Sequence, residues 1–206
     1  MIRTFRTPRF FKWVFHRRTW GFSVDKAVYL TFDDGPTPEL TPWILETLAS
    51  ENVKATFFCV GTNCENHPEL LQKIEAEGHS IGNHTMRHEK GTTTGKNDYL
   101  SSIEAADKII KSNLFRPPYG RLPISFSKEI TKKYNVIMWT WLSYDYDERI
   151  PVSVIIEKAK KIKNGDILVV HDNIKTQSRL KELLPQLIRL VKEKGYSFEA
   201  IDPLNV

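Results

Sequence analysis

The sequence predicts an α/β protein: a closed or nearly closed (β/α) barrel of about seven parallel strands. Two observations predict it. Seven short apolar runs alternate with six helical patterns along the 206 residues, and such alternation implies a parallel sheet with right-handed crossovers. Five groups of polar, reactive residues fall at the C-terminal ends of the predicted strands, the edge where barrels and open α/β sheets collect function. An open doubly wound sheet is the alternative, and periodicity alone does not separate the two.

The elements are read in order. Strands are expected at 27–32, 55–60, 80–83, 114–116, 136–141, 166–171 and 197–200, several rich in Val, Ile, Phe or Tyr, as a pleated surface favours. Thr41-Pro42 reads as an N-cap followed by proline at the first helical position, opening a helix to about residue 51. Pro68 opens a helix that stops before Gly78. Residues 98–111 carry Leu100, Ile103, Ala106, Ile109 and Ile110 near a 3.6 period. Helices at 123–133 and 153–163 follow, the second stopping at Asn164-Gly165. The last runs from about 176 to 194, with Pro185 kinking or restarting it.

Composition bounds the class. Hydrophobic residues make up 40% and charged residues 27%, an ordinary globular balance that argues against disordered and fibrous proteins. No apolar run approaches the ~18 residues of a membrane helix. The chain carries 30 basic and 25 acidic residues. Six of the basic ones (Arg3, Arg6, Arg9, Lys12, Arg17 and Arg18) lie in the first twenty residues, which contain no acid. The body is therefore near neutral, which argues against a nucleic-acid-binding face. Cys59 and Cys64, the two cysteines, make no disulfide framework. Cys59 is expected in a strand and Cys64 in the loop after it.

Residues 1–22 read as a basic aromatic arm ahead of a catalytic domain at 23–206. Lys12, His16 and Arg17 interrupt its aromatics, so no cleavable signal is expected. The arm is expected to pack on the body, with peripheral contact to an anionic membrane as the alternative. A cytoplasmic or inner-membrane-associated protein follows as an expectation.

The reactive groups point to a metal site. His84 and His88 are four apart, which on a helical turn places both on one side. Asp34 adds a carboxylate at another strand end; two imidazoles and one carboxylate leave coordination positions open for water, the pattern of a catalytic ion. Asp33 and Asp34 sit before the turn at Gly35-Pro36. Two adjacent carboxylates need cations to stay ionised together; a metal would serve Asp34, and Arg116 could serve Asp33. Pro117 and Pro118 stiffen the turn after Arg116, and a stiff turn can present a backbone N–H to an oxyanion. His171 closes the apolar run 167–170, on the same edge.

These stretches resemble the NodB-type polysaccharide deacetylases, also called carbohydrate esterase family 4. Thr31-Phe32-Asp33-Asp34-Gly35-Pro36, His84-Thr85-Met86-Arg87-His88, Arg116-Pro117-Pro118-Tyr119 and Leu168-Val169-Val170-His171 are similar to its motifs, in order, over residues 27–200. The resemblance implies a NodB-like deformed barrel that removes N-acetyl groups from amino sugars of a polysaccharide or oligosaccharide. It implies Asp34, His84 and His88 as ligands of zinc, or of cobalt, nickel or iron. It also implies Asp33 as general base, Arg116 as its orienter, the Tyr119 N–H at the oxyanion and His171 as general acid. Leu168, Pro117 and Tyr146 are expected against the substrate. One motif departs: the acid that steadies Arg116 is assigned to Asp145, with Asp147 second, and Tyr146 stands where a tryptophan is usual. The alternatives are a hydrolase of another small amide or imide on the same fold, a catalytically dead carbohydrate-binding protein, and a non-haem iron oxygenase.

Overall fold

A computed structural model describes residues 4–204. Its strands are β1 (Ala27–Asp33), β2 (Thr56–Cys59), β3 (Ser80–Asn83), β4 (Leu114–Phe115), β5 (Asn135–Val136), β6 (Trp141–Leu142), β7 (Ile167–His171) and β8 (Ser197–Phe198). The helices are α1 (Arg9–Val14), α2 (Leu40–Ser50), α3 (Gly61–Asn66), α4 (Pro68–Ala76), α5 (Lys96–Ile110), α6 (Ile124–Ile130), α7 (Val152–Ala159) and α8 (Gln177–Glu193). The strands lie in the order β5-β4-β3-β2-β1-β7-β6, with β8 against the start of β1, and every pairing is parallel. This is the deformed (β/α) barrel expected from the sequence.

The strand expected at 136–141 is two strands, and the reason lies in Arg116. The Ile137 and Met138 carbonyls turn inward to accept from its Nε and Nη2 at 3.2 and 3.0 Å. The segment nevertheless spans the barrel's seam. The Ile137 N–H donates to the Phe115 carbonyl at the end of β4, and the Thr140 N–H to Ile167 of β7.

Alternation along the strands sorts the core. Val28, Leu30, Phe32, Leu168 and Val170 face outward and pack with Ile44, Leu48, Leu184 and Leu187 of the surrounding helices. Tyr29, Phe58, Leu114, Ile137 and Ile167 point inward and fill the barrel's lower interior with Ile201. Arg116, fully buried, lies 4.0 Å above the Phe58 ring. The barrel is thus a packed plug with a charged layer on top, open at its C-terminal mouth.

Other expectations need correction. Thr41 lies inside α2, which starts at Leu40 without a side-chain cap; its hydroxyl instead accepts from the Thr37 N–H and donates to Asp172. Residues 61–66, read as a loop, form α3, and Cys64 within it is wholly buried. Helix α8 does not restart at Pro185 but runs through it as one element.

The arm is stitched into the barrel where β5 and β6 part. The Thr19 N–H donates to Val136, the Met138 N–H to Thr19, the Leu142 N–H to Phe5 and the Thr7 N–H to Thr140. Arg6 forms a two-pronged ion pair with Asp166 at 2.5 and 3.0 Å. Phe5, Phe15 and Trp20 pack onto the body, as the packing reading expects. Phe10, Phe11 and Trp13 of α1 do not; they stand in solvent.

Candidate metal and catalytic site

At the mouth, β1 delivers Asp33 on its inward face, directly across from His171 of β7 in register. Asp34, one residue past the pleat, has φ 82°; this left-handed conformation lets it turn back to the mouth beside Asp33. Its carbonyl accepts from the Asn63 amide at 2.8 Å, so the missed helix α3 helps hold it.

The stretch from His84 to His88 is not the helical turn read from its spacing. Thr85 and His88 have φ 66° and 58°, and the segment is irregular. The two imidazoles meet through these left-handed residues instead. His88 Nε2 lies 3.1 Å from Asp34 Oδ1 and His84 Nε2 3.7 Å from it. The donor atoms of Asp34, His84 and His88 all lie within 4.8 Å of one another. His84 Nδ1 is 2.7 Å from the Arg116 carbonyl, a bond that places the proton there and leaves Nε2 free for an ion. Burial pushes the His84 imidazole down to about 4, so it is neutral at physiological pH, as a ligand must be. Burial alone would raise the Asp34 carboxyl; the hydrogen bond from His88 and the nearby histidine charges outweigh it and hold it far below the usual range. Two imidazoles and an ionised carboxylate on this spacing fit a divalent ion with open positions.

Two buried pairs flank the triad. Arg116 Nη1 donates to Asp33 Oδ1 at 2.7 Å and to the Thr31 hydroxyl at 2.6 Å, so Arg116 orients Asp33 as expected. Arg116 pairs with Asp33 rather than with Asp145, and Asp147 pairs with Arg149. Asp145 instead grips His171: Oδ1 meets Nδ1 at 2.7 Å, and Oδ2 accepts the His171 N–H at 2.8 Å. Four of the five N–H donors of Arg116 go to Asp33, Thr31 and two strand carbonyls. Burial would lower His171, but Asp145, with smaller help from Asp34 and Asp33, raises it to about 9.

A cavity of about 890 Å³ opens over these groups, lined by Asp33, Asp34, His84, His88 and His171. Tyr119 lines it at φ 60°, its ring 4.6 Å from that of His88. Tyr146 lines it edge-on to His171 at 5.1 Å. Leu168 does not line it: its parity points it at the helices, and Val169 takes the lining place with Trp139 and Leu142. Pro117 is buried behind the turn and does not line it either. Counting by two back from His171 would have found Val169. Asp172 had no periodic signal. It is buried, accepts from Thr41 at 2.5 Å, and faces Gly35 so closely that a Cβ there would collide with its Oδ2. Burial pushes its carboxyl up to about 7.

The family model for polysaccharide deacetylases matches residues 23–138. The chain belongs to this family. It is 32% identical over 188 residues to a peptidoglycan-N-acetylglucosamine deacetylase of Bacillus cereus, covering 87% of this chain and 88% of that protein. Among solved structures it resembles the Bc1960 peptidoglycan N-acetylglucosamine deacetylase, at a TM-score of 0.85 and 29% identity over 95% of both chains. It also resembles a family 4 carbohydrate esterase from Streptomyces lividans in complex with acetate, at 0.77 and 26%, covering 89% of this chain and 96% of that one. A pseudoenzyme of the same family from Bacillus anthracis has a TM-score of 0.75 at 27% identity, covering 89% of this chain and 66% of that one. The polysaccharide deacetylase fold therefore does not by itself guarantee turnover.

Proposed function

We propose that this protein is a metal-dependent N-deacetylase of acetylated amino sugars, acting on a carboxylate-bearing glycan of the peptidoglycan kind. One observation carries the reading: the Asp34-His84-His88 donor set, the Asp33–Arg116 pair and the Asp145–His171 pair share one cavity. That full set speaks against a catalytically dead relative. Zinc is the first candidate for the ion, with cobalt, nickel and iron as alternatives.

Asp34, His84 and His88 would hold the ion, which when bound supplies Lewis acidity and an acidified water. Asp33 takes the proton of the attacking water. Arg116 holds its Oδ1, leaving the other oxygen for the transfer; such a base is worth about 10²–10⁴ in rate. The Tyr119 turn offers its backbone N–H to the oxyanion of the tetrahedral intermediate. His171, cationic because Asp145 supports it, protonates the amine as the C–N bond breaks. Asp145 and Arg116 never touch substrate; they position the two groups that do.

The cavity's rim favours an anionic glycan. Arg87, Lys90, Arg121 and Lys175 line it, are exposed, and join none of the ion pairs among the described residues. Acetate release should therefore be measured on neutral N-acetylglucosamine oligomers and on carboxylate-bearing peptidoglycan fragments, with and without chelator. Chelator-sensitive release that is faster on the fragments is expected. The zinc-loaded protein releasing no acetate from either would overturn the deacetylase reading; equal rates would overturn the rim's part alone.

A further inference from the structure

Helix α1 displays three exposed aromatic rings, of which Phe11 is also stacked on Phe15 at 6.4 Å. Trp13 is 77% exposed, Phe10 65% and Phe11 44%. They touch one another, with Phe10 6.2 Å from Phe11 and 6.3 Å from Trp13 between ring centroids. Large aromatics are ordinarily buried, and a contiguous exposed apolar patch marks an interaction site.

The display is held by the fold. On one side of α1, Phe5 and Thr7 are bonded to the β6 end of the seam and Arg6 to Asp166. On the other, Thr19 is bonded to the β5 end. Trp20 is buried, with its indole N–H on the Phe15 carbonyl, and Arg18 lies 4.3 Å over the Phe15 ring and donates to Leu122. With both flanks stitched down, α1 cannot fold its aromatic side inward without breaking the seam.

The charge around the patch selects the partner. Arg9 and Arg17 beside it are exposed and join no ion pair among the described residues. Residues 1–22 contain no acid at all. Asp166, the body acid facing the arm, is already taken by Arg6 and by the Lys163 N–H. A basic segment that carries Trp and Phe and keeps Arg9 and Arg17 out of ion pairs among the described residues matches the interfacial zone of an anionic bilayer, where aromatic rings seat at headgroup depth and guanidinium groups meet lipid phosphates.

We infer that α1 docks the protein onto an anionic lipid surface, with Phe10, Phe11 and Trp13 inserted and Arg9 and Arg17 on the headgroups. The deacetylase would then work next to a membrane.

The test uses the full chain and vesicles of phosphatidylglycerol mixed with phosphatidylcholine, against vesicles of phosphatidylcholine alone. Partitioning, read by sedimentation and by the blue shift of Trp emission, is expected to be at least about tenfold stronger on the anionic vesicles. A Phe10→Ser/Trp13→Ser double variant and an Arg9→Glu/Arg17→Glu double variant should each lose about tenfold. Both should keep the melting temperature and the acetate release from soluble oligomers. Equal partitioning on the two vesicle types overturns the inference, as does unchanged partitioning of the aromatic variant. A concentration-dependent dimer that the aromatic variant dissociates and vesicles do not compete with also overturns it, assigning the patch to a second copy of the chain.

Discussion

One carboxylate, Asp145, sets the acid side of this site. It holds the Nδ1 of His171 and the backbone N–H of the same residue, so a single side chain fixes both ring orientation and charge. His171 stands at about 9 because of it, against an ordinary 6.5. As a general acid it must be protonated, so kcat/KM should fall as pH rises through about 9. Asp145→Asn removes the charge that raises it; the alkaline limb should then move down by more than about one pH unit, checked by kcat/KM profiles of both proteins. Asp33 tests the base side. Asp33→Asn should cost about 10²–10⁴ in kcat while zinc content by elemental analysis stays at the unsubstituted level, since Asp33 is not in the donor set. His88→Ala should instead lose zinc and activity together. The pairing of Asp145 with His171 was not legible in the sequence. Asp145 is 26 residues from His171 and 29 from Arg116, and neither separation distinguishes the partner; only the folded contacts do, with Asp145 on His171 and Asp33 on Arg116.

The arm and the split strand explain each other. Residues 137–138 leave the ladder because Arg116 takes their carbonyls, and the arm then fills the parted edges with backbone hydrogen bonds. The sequence showed aromatics without showing which would be covered. Trp20 and Trp13 now separate. Trp20→Ala empties a buried site and should cost about 3–5 kcal/mol; Trp13→Ala changes a solvent-exposed side chain and should stay within about 0.5 kcal/mol. Urea unfolding of the two variants checks both. The His84–His88 element carries a similar lesson. A four-residue spacing was legible, but the turn holding it is left-handed at two non-glycine positions, and residue type does not announce that. Backing from α3, whose Gly61 and Thr62 N–H groups donate to Thr85 and Met86, makes the turn tenable.

At the scale of the molecule, titration of the mouth couples to folding. His171 is raised in the folded state, so its contribution to stability is complete below about 6.5 and is lost as pH rises through about 9. Asp172 is also raised, from 3.8 to about 7. The folded state therefore holds its proton more tightly, and that contribution too is lost as pH rises from about 4 to about 7. In chelator, the melting temperature should decline as pH rises from about 7 to about 9 with His171; below that, His79 and His84, both held down to about 4 by burial, oppose Asp172, so the melting temperature of Asp172→Asn relative to the unsubstituted protein should rise from about pH 4 to about pH 7. The alternation of apolar runs and helices determined a parallel α/β sheet, because that is what such a string can bury on both faces; the motif order, through its family resemblance, pointed to the barrel. The residue types at its strand ends determined the chemistry, because acids, histidines and an arginine at one mouth suit few reactions. Tertiary structure alone decided who holds whom: Asp145 with His171, Val169 rather than Leu168 in the cavity, and an arm half sewn into the seam and half left bare. Partners and exposure depend on distances across the chain, and these exist only once the barrel has closed.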